Sequence, residues 1–590
     1  MKRAGLLAAM CVLIATSVAR GGAPIMKLDD VRPGMKGVMR TVFEGTKIEE
    51  VPIEVVDVIR RIGPGRDVII VRLFGKRIEK TGVARGMSGS PVYVQDKLIG
   101  ALAFAWPRLK EPVAGVTPIE AMMRVKRGDA AKAVAATTTW RRGETIPSHA
   151  LMARLLAPRP ATPFVGPANM HALRTPIAVS GFSEAAVATL GEHLRAFDVA
   201  VVQAGAAGAD RAGAADRLRP GGSVCVQLMR GDVEAAAIGT VTEVDGKTVY
   251  AFGHPLMNSG RIALPMTTAR VHMIVASREI SFKLASAGKP VGTLWLDHTT
   301  GIVGELGEVP DMLPVSLEVK RQDLKGDTTL NFEIIRDPRL LLSLLNGVMR
   351  TVTTVSGKPD TEVRMIVKAT IDVEGYEPVT IEEVYGGPQA PAGAAGALVM
   401  PLGHLLHNPF KPVSVKSVRI ATTIIPGDPR ALIRYAETDK EEYHPGDDVD
   451  VALTLQPWRK EITVRHFKVK LPDDLPEGNL MLMVCDASTD SRMESMEKPH
   501  LFRPRDVAST LDFFRRRRLA TDVVFRLSRR SPGMVLKGRE LPELPPSVIS
   551  VLGKQPPTEI SQFTTTTITR VPTEFIILGR HQLPIRVVKD

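Results

Sequence analysis

Two glycine-framed segments carry residue types suited to covalent chemistry. The first is Gly86-Met87-Ser88-Gly89-Ser90-Pro91, followed by Val92-Tyr93-Val94 and Lys97-Leu98-Ile99-Gly100. Small residues on both sides of Ser88 let the backbone turn sharply and let a substrate carbonyl approach the hydroxyl. In such a turn the N–H groups of Gly86 and Ser88 point together and make an oxyanion hole. A glycine-rich β turn is the plainer reading, but a full six-residue match is more specific than that. A serine hydroxyl is a poor nucleophile at neutral pH and needs a base within hydrogen-bond reach. No histidine precedes His149, so the base must come from later in the chain. The second segment, Gly239-Thr240-Val241-Thr242 through Phe252-Gly253-His254-Pro255, offers one. Strands on either side of Asp245-Gly246 form a hairpin signal, and His254 then sits at a strand end where a loop can aim its ring.

The elements that must position these groups are mainly β. The chain has 590 residues, enough for several domains, with 44% hydrophobic and 24% charged residues. Only 5% are aromatic, against 50 glycines and 44 prolines, which favours short strands and tight turns over long helical bundles. Residues 27–126 read as a compact β unit, with strands such as Val51–Ile59, Asp67–Leu73 and Lys97–Ala103. Residues 127–215 read as an Ala/Pro/Gly-rich connector holding one helix. Ser183 is its N-cap, and Val187, Leu190, Leu194 and Phe197 share a face. The run Gly205–Ala215 reads as a mobile loop. A second β unit spans 216–345, a β-rich extension 346–440, an Ig-like sandwich 441–495 and a mixed α/β region 496–590. In the last, Val507, Leu511 and Phe514 mark a helix. Arg515–Arg518 is expected to be its solvated end, with grip on an anionic partner as the other reading.

Both chemical motifs resemble those of the SpoIVB-type serine peptidase family, the stage IV sporulation peptidases with a chymotrypsin-like fold. Gly86–Pro91 with Lys97–Ala101 resembles the family's nucleophile segment, and Gly239–Thr242 through Gly253-His254 resembles its Gly-His segment. Gly301-Ile302-Val303-Gly304 and Asp337-Pro338-Arg339-Leu340-Leu341 are shorter look-alikes. The resemblance implies paired β-barrels over about residues 27–345, with Ser88 as nucleophile, His254 as base and Asp337 as the acid. Asp297 is the reserve acid, and Asp337 can instead be a helix N-cap before Pro338. The family's order is His, Asp, Ser, whereas here Ser88 comes first. A triad is defined by geometry and not by chain order, so a rearrangement of the two barrels accommodates this. No convincing PDZ signature accompanies the motifs. The implied activity is hydrolysis of polypeptides, the chain itself included. The rival is a non-catalytic envelope scaffold on the same barrels.

Other classes fare worse. There is no His-Glu-x-x-His and no cysteine cluster, so no metal or other cofactor is expected. His404 and His407 fit a packed turn. The net charge of +13 is spread along the chain, which does not indicate nucleic-acid binding. Lys2 and Arg3, the apolar run Leu6–Ala15 and Ser17-Val18-Ala19 read as a signal peptide over 1–19. The expected location is therefore periplasmic or extracellular, with the C-terminal domains docking substrate, partner or envelope surface. Past the leader only Cys225 and Cys485 remain, and nothing supports a bridge between them.

Overall fold

The computed structural model describes residues 23–63, 66–106, 109–124, 170–197, 199–204, 214–279, 281–322, 326–354, 362–536, 539–553 and 560–589. The leader, His149 and most of the Gly205–Ala215 run lie outside them.

The first unit is a closed barrel. Its strands are β1 (Lys36–Val42), β2 (Ile48–Gly63), β3 (Arg66–Leu73), β4 (Pro91–Val94), β5 (Lys97–Ala105) and β6 (Val113–Pro118). They pair in the order β4-β1-β2-β3-β6-β5, and β5 pairs back to β4, which leaves the ring without a free edge. Alternation in β2 shows why these residues make strands: Val51, Ile53 and Val55 are buried while Pro52 and Glu54 point out. They pack with Met39, Ile69, Val71, Val92 and Val116 in one core.

A second ring follows after β7 (His171–Ala172), β8 (Pro176–Ser180) and β9 (Ala200–Gln203). It is built from β10 (Ser223–Gly231), β11 (Glu234–Asp245), β12 (Thr248–Ala251), β13 (Gly260–Val275), β14 (Phe282–His298) and β15 (Gly301–Leu306). The order β10-β13-β14-β15-β12-β11 is closed by pairing of β11 with β10. The protein is mainly β and contains paired barrels. The sheet continues from β10 through five further strands up to residue 426. Helices Glu184–Leu194, Pro338–Thr354 and Ala390–Leu406 pack on it. Ser183 caps the first of these, accepting from the Ala186 N–H, and Leu190 and Leu194 are buried as the spacing predicts. His404 and His407 end the third helix and do not form a separate turn.

The sandwich expected over 441–495 takes strands from a much longer stretch. One sheet holds Arg430–Thr438, Asp448–Pro457, Thr463–Lys470 and Ile576–Leu578; the other includes Gly478–Asp486, Asp522–Leu536 and Arg580–Val587. Their inner faces share one core, so the mixed C-terminal region is largely part of the sandwich. Helix Val507–Arg515 opens with a capping box at Asp506 and buries Val507, Leu511 and Phe514. Arg515, Arg516 and Arg517 are exposed at its end, as expected, but three of the four arginines there are engaged in ion pairs. Arg515 pairs with Asp512, Arg517 with Glu383, and Arg518 with Asp490 and Glu494. Cys225 and Cys485 are free and buried. No helix among the described residues is long and apolar enough to cross a membrane.

Candidate active site

Ser88 sits on the turn that feeds β4, and that turn needs its glycines. Gly86 and Gly89 have φ of 89° and 91°, a region that side chains rarely enter. A Cβ on Gly89 would also lie 2.0 Å from the Thr240 carbonyl oxygen and 2.4 Å from the Phe252 nitrogen. The turn is sewn to the second barrel by β11: the Thr240 N–H donates to the Ser88 carbonyl at 2.8 Å. The Thr240 and Thr242 hydroxyls donate to the carbonyls of Gly86 and Gly89 at 2.9 and 2.8 Å. Thus the nucleophile turn belongs to one barrel by sequence and to both by bonding.

The backbone N–H groups of this turn alternate in use. Met87 donates to the Ala84 carbonyl, Gly89 to Leu102 and Ser90 to Met87, at 3.0, 2.7 and 3.0 Å. Among the described residues those of Gly86 and Ser88 have no backbone acceptor. Buried N–H groups are nearly always paired, so two left open in one turn mark a site prepared for something else. The Ser88 side chain is fully buried, and its Oγ has no hydrogen-bond partner among the described residues.

His254 follows a strained stretch: Phe252 has φ of 69° and Gly253 of 68°. A bulky residue in the left-handed region is a cost that the surrounding packing must hold. The Thr117 hydroxyl of β6 donates to the Gly253 carbonyl at 2.6 Å, which fastens this turn to the first barrel. The nucleophile turn and the histidine turn are therefore packed backbone against backbone. The His254 ring is buried, with Nδ1 2.8 Å from the Pro255 carbonyl oxygen. A carbonyl only accepts, so Nδ1 carries the hydrogen and Nε2 the lone pair. Nε2 has no hydrogen-bond partner among the described residues. Burial pulls the imidazole down to about 4, against the opposing pull of the Pro255 and Leu173 carbonyls, so it is neutral at physiological pH. Ser88 and His254 are not hydrogen-bonded to each other.

The two acids stand apart in their roles. Asp297 is buried on β14 and accepts from the N–H groups of Leu256, Met257 and Ser259 at 2.8, 2.7 and 3.0 Å. It holds the loop that begins one residue after His254. Burial raises its carboxyl to about 6, opposed by those three N–H groups and by Arg339. Asp337 bonds instead to Arg339, whose Nη2 lies 2.6 Å from Oδ2, and its carbonyl accepts from Leu340 and Leu341 at the helix start. The helix-opening reading of Asp337 matches this placement.

A cleft of about 440 Å³ is lined by Val83, Arg85, Trp106, His171, Leu173 and Ser281 among others; no residue of either turn lines it, and Arg85 and Leu173 are its links to them. Arg85 directly precedes Gly86, and Leu173 presents its carbonyl to the His254 ring.

Sequence reasoning missed one group in this region. Lys283 of β14 is completely buried, and its Nζ is bonded to the hydroxyls of Thr41, Thr240 and Ser223 at 3.1, 3.1 and 3.4 Å. The only signal was a lysine in phase with Ser281 and Ala285 along a strand, which identifies nothing until the inward face is known. Among the described residues no cluster of His, Cys, Asp or Glu is arranged to hold a metal ion.

Comparison with known proteins agrees with the nucleophile segment. No curated protein and no solved structure matches the chain. The family model described as SpoIVB peptidase S55 matches residues 3–123, which include Ser88 and the whole first barrel, while His254 lies beyond the match. Over that N-terminal region the chain is similar to the SpoIVB-type serine peptidases.

Proposed function

We propose that the protein is an exported endopeptidase that cleaves polypeptides with Ser88 as nucleophile and His254 as general base. The carrying observation is the pair of open N–H groups at Gly86 and Ser88 flanking an unpartnered, buried hydroxyl. Oxyanion stabilisation needs donors of this kind, fixed before the reaction begins. Ser88 Oγ attacks the peptide carbonyl and its proton passes to His254 Nε2, which later protonates the leaving amine. The tautomer this requires, hydrogen on Nδ1 and lone pair on Nε2, is the one the Pro255 carbonyl selects. In this reading a backbone carbonyl orients the ring, and Asp297 acts through the loop that follows it. Asp337 can join only by releasing Arg339. The polypeptide occupies the cleft between Trp106 and Leu173, and the buried site opens to admit it.

The rival reading, a scaffold that keeps the barrels without turnover, is favoured by one observation: Ser88 and His254 are both buried and unbonded to each other. Labelling with a fluorophosphonate separates the two. The expected result is covalent label on the protein, competed by a peptide, absent from Ser88→Ala, with turnover lost by about 10⁶-fold. Equal labelling of both proteins, or of neither, overturns the peptidase reading. The labelling rate should rise as pH increases through about 4, where the His254 imidazole loses its proton and becomes a base.

A further inference from the structure

Beneath the nucleophile turn lies a buried lysine that, among the described residues, is bonded to hydroxyls and to no carboxylate. Lys283 touches β1 through Thr41, β10 through Ser223 and β11 through Thr240, and its stem packs on Gly86, where a Cβ would lie 3.1 Å from the lysine's own. Its backbone N–H also donates to the Arg85 carbonyl at 2.9 Å. The titratable group acting on it is the buried Cys225 thiol of β10, which burial pushes up to about 12 and keeps neutral. Glu234 acts on that thiol and not on the lysine. Arg85, from the first barrel, lines the cleft.

The hydroxyls around Nζ lead to the turn. Thr240 Oγ1 accepts from Lys283 and donates to the Gly86 carbonyl at 2.9 Å. Thr41 Oγ1 accepts from Lys283 and lies 3.0 Å from Ser90 Oγ, which is 2.7 Å from the Met87 carbonyl oxygen. That carbonyl can only accept, so Ser90 gives it its hydrogen and Thr41 gives its own to Ser90. An ammonium has three N–H donors for three hydroxyl acceptors, and every hydrogen in both chains then points toward the turn. A neutral amine keeps two hydrogens, enough for Thr240 and Thr41 while the Ser223 hydroxyl turns to its lone pair, so both chains lose the charge that polarises them and hold the turn less firmly. The Met87 carbonyl shares its peptide group with the Ser88 N–H. A donor on that oxygen makes the N–H a stronger donor in return.

We propose that Lys283 is a positioning residue for the nucleophile turn, whose ammonium acts through Thr240 and through Thr41–Ser90 to fix the Gly86 and Met87 carbonyls and strengthen the Ser88 N–H. This rests on the reading of Ser88 as nucleophile, although the clamp itself does not require turnover. Burial draws the Lys283 ammonium down to about 7, so the clamp is set on the acid side of that value and slackens above it.

Hydrogen exchange on the full chain tests the clamp without reference to activity. Protection of the peptide covering residues 84–91, corrected for intrinsic exchange, is measured from about pH 6 to about pH 9. In the unmodified protein it should fall several-fold over that range, while Lys283→Met should be poorly protected throughout and insensitive to pH. Lys283→Met removes a buried charge, which favours folding, and circular dichroism checks this. Thr41→Val, which cuts only the Ser90 arm, should give an intermediate loss in the same peptide. Protection that ignores both substitutions and pH overturns the proposal. The fluorophosphonate rate is the second readout: it should decline above about pH 7 in the unmodified protein. In Lys283→Met it should be about 10-fold lower with no alkaline decline. Absence of any label defeats the peptidase reading while exchange still decides the role of Lys283.

Discussion

The barrel interface and the C-terminal sandwich both bury cations, and they neutralise them differently. In the sandwich, Arg526 is fully buried against Asp490 and Glu497, with Arg518 sharing Asp490. Burial pulls the guanidinium down, but Glu497 and Asp490 outweigh it and leave it above its ordinary value. At the interface, among the described residues, Lys283 is hydrogen-bonded only by hydroxyls and Asp297 only by backbone N–H groups; Lys283 is drawn down to about 7 and Asp297 up to about 6. His254 joins them at about 4. Paired charges hold a sandwich together at every physiological pH. Without a charged partner, Lys283 and Asp297 sit near the point where a proton comes or goes, and His254 is held neutral as a base must be. The sandwich is built to stay ionised, and the interface to change.

The comparison breaks first at Arg526. Arg526→Met leaves Asp490 and Glu497 buried without their main partner and should cost about 3–5 kcal/mol, read from urea unfolding of the sandwich. A loss near zero would mean that its carboxylates are already satisfied by Arg518. At the interface, Asp297→Ala strands three N–H donors and should cost about 2–3 kcal/mol. The loss should concentrate in exchange protection of residues 256–259 and carry the fluorophosphonate rate down with it. The smallest effect, step by step, is a slope in pH. Lys283 has a folded value below its unfolded one. Its contribution to stability is therefore complete above the ordinary lysine range and is lost as pH falls toward about 7. Between about pH 7 and pH 10 the unfolding free energy should rise by about 1 kcal/mol per pH unit relative to Lys283→Met. Global stability and order in the nucleophile turn then move in opposite directions with pH, which no purely structural lysine would produce.

Much of the site was legible because its constraints are local. Gly86 and Gly89 adopt a backbone conformation that only glycine enters freely, so the turn around Ser88 is written in consecutive residues. His254 was legible for a similar reason, at the end of a hairpin whose turn residues announce it. Asp337 illustrates the reverse. Its place in a short look-alike suggested an acid, yet Arg339, two residues on, takes its carboxylate, and no periodicity reveals a side chain's choice of partner. The sandwich was recognisable from its alternation but not its extent. Strands at Arg430–Thr438 and Ile576–Leu578 lie side by side in one sheet although well over a hundred residues separate them.

The sequence alone determined the turns, the strand periodicity and the residue types able to act as nucleophile and base, since each depends on neighbours a few residues away. Tertiary structure decided which polar groups are left without partners: the open N–H groups of Gly86 and Ser88, the bare Nε2 of His254 and the carboxylate-free ammonium of Lys283. The reason is physical. Burial and hydrogen-bond satisfaction are properties of a closed surface, and they arise only once two barrels, remote along the chain, have met.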